Sequence, residues 1–336
     1  MTHRPVTLFT AQWADLPLED VAHLAGEWGF DGLEIACKTQ HLDIDRAITD
    51  AAYLQSRRDI LAAHGLGVWA LSNHAQGKLV CDDPLDFRHK NIGGPRTWGD
   101  GVVEGVRQRA TEQMTKTAIV ARKLGADTVT GFAGSKIWRY VAMYPPVPTT
   151  VLDDGYEDFA RRWNPIMDVF DSEGVRFALE VHPGDIAYDY WTTVRVLDAI
   201  DRRDAFGLNW DPSHMVWQDI DPVNFISDFA DRIYHVDCKD TRIRSRDGRA
   251  GRLGSHLAWG DQRRGWDFVS AGHGDVRFED AFRALESIHY SGPISIEWED
   301  PGMSRLHGAP EALAFVRSLL WDRPDAPFDS VFTQKD

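Results

Sequence analysis

The chain has 336 residues, of which 43% are hydrophobic, and its 37 Lys and Arg against 52 Asp and Glu give a formal net charge of −15. This acidic balance argues against a nucleic-acid partner, because nucleic-acid affinity comes largely from basic side chains that neutralise phosphates. No window approaches the run of about 18 to 20 apolar residues that a membrane-spanning helix needs.

Short apolar runs alternate with longer amphipathic runs along the chain. Eight short runs predict strands, in chain order at 6–13, 32–37, 67–74, 127–134, 176–183, 206–212, 232–240 and 293–300. Helical patterns lie between them, and several end at glycine, a common C-terminal cap. Strands that alternate with helices pair in parallel, and eight such units close into a (β/α)8 barrel.

We therefore predict a single (β/α)8 TIM barrel over residues 1–322, followed by a tail at 323–336. An active site is expected at the C-terminal ends of its strands. A doubly wound open sheet is the alternative, but no GxGxxG fingerprint follows the first strand.

Three long segments follow strands three, four and seven. Residues 75–105 and 240–275 exceed the usual length of a connection, so we expect lids or docking surfaces. The second is rich in arginines, which suit phosphate recognition and protein interfaces equally, with a solvated loop as the third interpretation; they are Arg242, Arg244, Arg246, Arg249, Arg252, Arg263 and Arg264. Residues 137–148 are aromatic and proline-rich, which suits an apolar ligand, a partner or packing over the rim.

Polar side chains collect at the predicted C-terminal strand ends: Gln12, Glu34, His74, Ser135, Glu180, His182, Asp211, His214, His235, Asp237, Lys239, Glu297 and Glu299. Each alone has a structural explanation, such as a turn cap or a core hydrogen bond. Four of them follow strands that are neighbours in a barrel, namely Glu180, Asp211, His235 and Glu297. Crowded carboxylates repel without a cation. Oxygen ligands with one imidazole suit Mg²⁺ or Mn²⁺, so the sequence predicts a divalent metal site.

The same stretches resemble a known superfamily. "LEVHP" (179–183), "NWDPSH" (209–214), "YHVDCKD" (234–240) and "GPISIEWED" (292–300) are similar to the metal-site signatures of the xylose-isomerase-like barrels, which include sugar phosphate isomerases and epimerases and the endonuclease IV group. The resemblance covers essentially the whole chain. It implies the same four metal ligands and a substrate contact for His214. The richer three-metal ligand set of the endonuclease branch is not found.

A narrower resemblance rests on residues 98–110, 164–194 and 253–276. These resemble the metal-bearing α-type subunits of bacterial C-glycoside deglycosidases, which cleave the carbon–carbon bond between a 3-oxo sugar and a flavonoid-like aglycone with a smaller β subunit. This implies a small-molecule 3-oxo C-glycoside substrate and a β-subunit partner. Proteins with the same stretches are also labelled sugar isomerases or epimerases.

Both interpretations share one chemistry. A metal with free coordination positions stabilises the charge that forms when a proton next to a carbonyl leaves, which gives an enolate or enediolate. Glu180 and Glu297 are expected on either side of the sugar, where one takes the proton and the other returns it. Return of the proton gives an epimer or isomer, whereas loss of an aglycone from the β carbon gives elimination. The candidate acids for elimination are His182, His214 and Lys239.

The expected protein is therefore an enzyme that uses Mn²⁺, with Mg²⁺ or Co²⁺ as alternatives. A C-deglycosidase lyase is the first choice and a sugar or sugar-phosphate isomerase or epimerase the second, with a sugar-binding barrel without turnover as the third.

Three widely spaced cysteines, Cys37, Cys81 and Cys238, fit neither a disulfide framework nor a CxxC motif. The N-terminus shows no signal-peptide pattern, so the reducing cytoplasm is the expected location.

Overall fold

Eight parallel strands form the main sheet of the protein. The structure is a computed structural model that describes residues 4–141, 144–244, 249–253, 256–321 and 329–333. The eight strands are β1 (Val6–Phe9), β2 (Gly32–Ala36), β3 (Gly67–Ser72), β4 (Thr128–Gly131), β5 (Arg176–Glu180), β6 (Phe206–Trp210), β7 (Ile233–Val236) and β10 (Ile294–Ile296). They pair in chain order, and β10 pairs with β1. A parallel bridge between Asp237 and Ser295 joins the remaining edges, so the sheet closes into the predicted barrel.

Helices cover the outside of the barrel and fill most of the connections. They are α1 (Leu18–Trp28), α2 (Ile44–Thr49), α3 (Ala51–Ala63), α4 (His74–Cys81), α5 (Phe87–Trp98), α6 (Val103–Leu124), α7 (Thr149–Glu173), α8 (Tyr190–Ala199), α9 (Pro212–Val216), α10 (Pro222–Asp228), α11 (Phe278–Ser287), α12 (Arg305–Leu319) and α13 (Ser330–Thr333). Gly29 and Gly125 end α1 and α6 with φ of 89° and 90°. Glycine adopts this left-handed conformation without steric cost, which is why these helices end there.

The alternation of side chains along the strands separates the core from the site. Phe177 of β5 packs against Trp163 of α7, with ring centroids 4.6 Å apart. Successive side chains of a strand point to opposite faces. Glu180, an odd number of residues further on, therefore points to the barrel axis, and it lines the cavity there. The same period holds on β6, where Phe206 packs under α7 and Asn209 is fully buried inside.

Two of the predicted long loops contain regular structure. The connection after β3 contains α4 and α5, and α5 is kinked at Gly94, where φ is 70°. The connection after β7 contains an antiparallel hairpin of β8 (Asp240–Ile243) and β9 (Trp266–Val269). No helix in the described ranges has the length and apolar character needed to cross a membrane. Arg246, the last residue of the predicted barrel domain, Asp322, and most of the predicted tail, residues 323–328 and 334–336, lie outside the described residues.

Candidate active site

A cavity of about 1070 Å³ lies at the C-terminal ends of the barrel strands. Its lining includes the last residues of four strands, Phe9, Ala36, Ser72 and Glu180. In (β/α)8 barrels this end carries the active site, because side chains from several strands converge there. The position of the cavity therefore agrees with the prediction from the strand ends.

Three carboxylates converge at this cavity, of which Glu180 and Glu297 line it and Asp211 lies buried next to them. Glu180, Asp211 and Glu297 each offer one oxygen, and these oxygens lie within 4.8 Å of one another. Asp211 caps α9, and its Oδ1 accepts a hydrogen bond of 2.8 Å from the backbone N–H of Ser213. Glu297 Oε1 accepts one of 2.9 Å from Gln12. Each of these two residues thus keeps a second oxygen that accepts no hydrogen bond from the described residues.

Lys239 is the cation of this group. Its Nζ lies 3.0 Å from Glu297 Oε2, 3.3 Å from Asp211 Oδ2 and 3.7 Å from Glu299 Oε2. Burial lowers the pKa of Lys239, but attraction to Glu297, Glu299 and Asp211 outweighs it, so this pKa lies well above its usual range. One ammonium against several carboxylates leaves the pocket with a negative charge.

Imidazoles surround Glu180 on the other side. His74 Nε2 lies 2.8 Å from Glu180 Oε2, and His214 Nε2 lies 3.4 Å from Glu180 Oε1. His182 packs next to them, with its ring centroid 3.9 Å from that of His214 and the two rings tilted by 58°. Burial raises the pKa of Glu180, but the contacts with His214 and His74 outweigh this and hold it well below its usual range. Burial raises the pKa of Glu297 well above its usual range, against the opposing charge of Lys239. The two glutamates therefore occupy opposite electrostatic environments.

The fourth predicted ligand, His235, lies in a separate cluster. Its Nε2 is 2.9 Å from Glu34 Oε2, and both side chains are fully buried. Asp237 completes this cluster and accepts a hydrogen bond of 2.5 Å from Asn209. Asn209 of β6 is in register both with His235 of β7 and with Glu180 of β5. The ligand atoms of Glu34, His235 and Asp237 nevertheless form a group of their own, distinct from that of Glu180, Asp211 and Glu297.

The group of three carboxylates fits a divalent metal ion. Oxygens bonded to one Mg²⁺ or Ca²⁺ at 2.0 to 2.6 Å lie up to roughly 4 to 5 Å apart, which matches their spacing. Asp211 Oδ2 and Glu297 Oε2 are buried, and their contacts are ionic ones with Lys239 and, for Asp211, with His214 Nε2 at 3.2 Å, without hydrogen-bond geometry. Both oxygens are therefore open to coordination by a cation. A donor set of oxygens with a nearby imidazole suits Mg²⁺, Mn²⁺ or Zn²⁺.

An aromatic wall of the cavity was not found from the sequence. Trp259 and Phe268 line it from the segment between β7 and α11, and Trp298 lines it beside Glu297. The only sequence signal for Trp259 is its place in a long insertion, because the hairpin that brings it to the cavity has no strong strand pattern. The described residues of 137–148 do not line the cavity.

Several arginines of the insertion after β7 form ion pairs or hydrogen bonds with other residues of the protein. Arg252 pairs with Asp219 at 2.8 Å and Arg263 with Asp261 at 2.6 Å. Arg244 lies 3.5 Å from Asp267, and Arg242 donates to the carbonyl of His273. Arg252 thus joins the insertion to the segment after α9, whereas the other three contacts lie within the insertion. None of these four arginines lines the cavity.

Comparison with known proteins identifies the family of this barrel. Residues 22–319 match the family model described as xylose isomerase-like TIM barrel. The chain belongs to this family. YfiH of Bacillus subtilis (strain 168), described as uncharacterized, is 26% identical over 308 residues, which cover 86% of this chain and 90% of that protein. The inosose dehydratase of Clostridium perfringens (strain 13 / Type A) is 24% identical over 153 residues, or 45% and 50% of the two chains.

Solved structures share the barrel of this family member. The probable 3-DHS dehydratase AsbF from Bacillus anthracis has a TM-score of 0.65 at 18% identity and covers 95% of this chain and 100% of its own. The 3-keto-D-glucoside 4-epimerase YcjR from E. coli has 0.65 at 16% and covers 94% and 99%. The IolI protein, crystallised with a zinc atom, has 0.62 at 16% and covers 94% and 96%. At these identities the likeness shows the fold alone. The fold and superfamily predictions are confirmed, and the relatives named here by an activity are enzymes, as predicted for this chain.

Proposed function

We propose that the chain is a divalent-metal-dependent enzyme that removes a proton next to the carbonyl of a 3-keto glycoside and expels the aglycone. The observation that carries this proposal is the convergence of Glu180, Asp211 and Glu297 at one end of a cavity of about 1070 Å³. Pockets of roughly 300 to 1,000 Å³ hold drug-sized ligands. The cavity is therefore large enough for a sugar together with an aromatic group.

Glu180, Asp211 and Glu297 would hold the metal. A bound divalent ion would act as a Lewis acid and stabilise negative charge on the keto oxygen of the substrate. The zinc in IolI supports a metal in this fold, and the predominance of oxygen donors favours Mn²⁺ here. His235 contacts Glu34 and not these oxygens, so we assign it a supporting role beside the metal ligands.

The proton transfer belongs to Glu180 and Glu297. They extend from β5 and from the end of β10, and both line the cavity. One carboxylate takes the proton from C2 of the 3-keto sugar, and the C–H electrons form the C2–C3 double bond of an enolate. When the C3 carbonyl forms again, these electrons form a C1–C2 double bond and the bond from C1 to the aglycone breaks. The leaving aglycone carbon takes up a proton. Lys239, His182 and His214 all lie at the cavity and are the candidate donors.

The cavity suits an uncharged glycoside better than a sugar phosphate. Five of the described lysines and arginines line it, and four of them, Lys78, Arg96, Lys239 and Arg305, lie within 4 Å of an acidic side chain. Recognition of a phosphate by these four would require them to exchange their partners, which leaves the exposed Lys38 as the remaining cation of the lining. One exposed lysine supports a sugar phosphate less well than a neutral 3-keto sugar.

Epimerisation is the second candidate. The fold match with a 3-keto-D-glucoside 4-epimerase favours it, because the same carboxylates next to a 3-keto group would remove the proton at C4 instead of C2. A requirement for the proposed β subunit would also distinguish the two reactions. The resemblance to the deglycosidases implies such a subunit, whereas the fold match with the epimerase gives no reason to expect one.

Product analysis tests this proposal. The purified chain, loaded with Mn²⁺, is incubated with a 3-oxo C-glucoside, alone and with the small proteins encoded beside it, and the mixture is separated by chromatography. We expect a peak of free aglycone that disappears after chelation and in Glu297→Gln, and that persists in Glu311→Gln, a surface glutamate outside the cavity. Conversion of the intact glycoside into its C4 epimer, without aglycone, would replace the lyase by the epimerase.

A further inference from the structure

We propose that Trp259 forms a binding subsite for the planar aromatic group of the substrate. The inference deepens the proposed function and rests on it for the place of the sugar, but the aromatic subsite is defined by its own residues. According to this inference, the hairpin insertion after β7 selects aryl glycosides over alkyl glycosides.

The aromatic surface begins at the catalytic groups. The Nζ of Lys239 lies 4.7 Å from the ring centroid of Phe268, and the ring of His214 lies 5.5 Å from it. Trp259 stacks on Phe268 with a centroid distance of 5.1 Å and an interplanar angle of 27°. Both rings line the same cavity as Glu180 and Glu297. A sugar bound at the carboxylates would thus have an aromatic surface beside it, one ring further out.

Trp259 is held in place from behind. Arg264 lies over its ring at 3.9 Å, and this guanidinium donates hydrogen bonds to the carbonyls of Leu257 at 2.8 Å and Trp266 at 3.2 Å. Trp266 in turn stacks on Trp217, with centroids 4.6 Å apart and an interplanar angle of 3°. Cation–π and stacking contacts of this kind fix an indole without the need for a ligand. The subsite is therefore preorganised.

The exposure of Trp259 distinguishes it from its supports. Trp266 and Phe268 are 6% and 8% exposed, whereas Trp259 is 54% exposed. An exposed indole on the wall of a cavity presents a large apolar surface to an incoming ring. Arg264 is buried and lies within 4 Å of Asp267, so it offers no free charge to an acidic group. The preferred ligand is therefore a planar, uncharged or phenolic ring system.

Calorimetric binding of the flavone apigenin to the full chain tests the subsite without turnover. Trp259→Ala should weaken binding about tenfold, the order of one aromatic stacking contact. Trp259→Phe keeps a ring and should stay within about threefold of the wild type. Trp191→Ala is the matched control, because Trp191 is 75% exposed on α8 and lies outside the cavity lining, and it should bind like the wild type. Melting temperatures of all variants confirm that each is folded.

The outcomes separate this inference from the proposed function. Trp259-dependent binding of apigenin in a chain that releases no aglycone would support the subsite and refute the lyase. Aglycone release with equal apigenin affinity in wild type and Trp259→Ala would overturn the subsite and leave the lyase. A wild-type chain that does not bind apigenin, or a Trp259→Phe variant as weak as Trp259→Ala, would also overturn it.

Discussion

The Nε2 atom of His74 lies 2.8 Å from Oε2 of Glu180. The Nδ1 atom of the same ring lies 2.7 Å from Oγ of Ser72, so the imidazole bridges the end of β3 and the end of β5. A side chain fixed at both nitrogens holds its carboxylate partner in one orientation. His74 was recognised only as a polar strand-end residue in the sequence, and the structure assigns it a positioning role.

The first prediction concerns this bridge. His74→Ala removes the restraint on Glu180 and should lower turnover roughly 10- to 100-fold, the range seen for groups that orient metal ligands. Ser72→Ala keeps the imidazole and should have a smaller effect. Steady-state kinetics with separate kcat and KM values measure this, with the exposed His23→Ala as control. Equal kcat in His74→Ala and the wild type would remove His74 from the positioning role.

Glu297 is predicted to transfer a proton. Glu297→Gln keeps the shape and one oxygen but removes the base, so turnover should fall roughly 100-fold or more. Glu311→Gln, outside the cavity lining, should leave it unchanged. Unaltered turnover in Glu297→Gln would reassign this residue to metal binding or support alone.

Metal binding is predicted to depend on Asp211. Asp211 and Asp221 both cap a helix that begins with proline, so Asp221→Asn is a control that makes the same change at another cap. Elemental analysis should find about one divalent ion per chain in the wild type and in Asp221→Asn, and clearly less in Asp211→Asn. Because a ligand stabilises the state that binds it, chelation should lower the melting temperature of the wild type. Equal metal content in the two variants would exclude Asp211 as a ligand.

The buried pair of His235 and Glu34 predicts a pH dependence of stability. Burial lowers the pKa of His235, but the Glu34 carboxylate outweighs it and raises this pKa to about 10. The pKa of Glu34 falls to about 2, because attraction to His235 outweighs its burial. A raised histidine pKa stabilises the fold fully below its unfolded value of about 6.5, and the contribution is lost as the pH rises towards 10. A lowered glutamate pKa stabilises it above about 4.3, and the contribution is lost as the pH falls towards 2.

Denaturant unfolding at several pH values checks this dependence. The free energy of unfolding of the wild type should exceed that of His235→Asn most clearly near pH 5 to 6, and the difference should shrink between pH 7 and pH 10. A difference that stays constant over this range would show that His235 contributes by packing and not by charge.

The barrel could be predicted from the sequence because burial on both faces gives each strand a short apolar run, and each intervening helix shows a helical period of apolar residues. Glu180, Asp211 and Glu297 could be predicted to lie together because the C-terminal ends of all barrel strands lie on one side. The contact between His235 and Glu34 could not be predicted, since a period of two indicates which side chains of a strand point inward but not which of them meet. The assignment of His235 as a metal ligand stays a prediction.

The aromatic wall of the cavity could not be predicted from the sequence for a different reason. Trp259 reaches the cavity only because β8 and β9 pair across 22 intervening residues, and neither strand is longer than four residues. Helix α5 was missed because Gly93, Gly94 and Pro95 interrupt its pattern, and the structure accommodates them by a kink. Long-range pairing of short elements leaves little signal in local sequence.

Hydrogen exchange in D₂O tests the central claim most directly, because elimination and epimerisation both begin with loss of a proton next to the carbonyl. A 3-keto glucoside is incubated in D₂O with the Mn²⁺-loaded chain, and ¹H NMR follows the signals of the protons at C2 and C4. The account predicts that one of these signals disappears at a rate set by the enzyme concentration, and that it persists after chelation and in Glu297→Gln. Persistence of both signals with a folded, metal-loaded chain, while the glycoside is nevertheless converted, would contradict it.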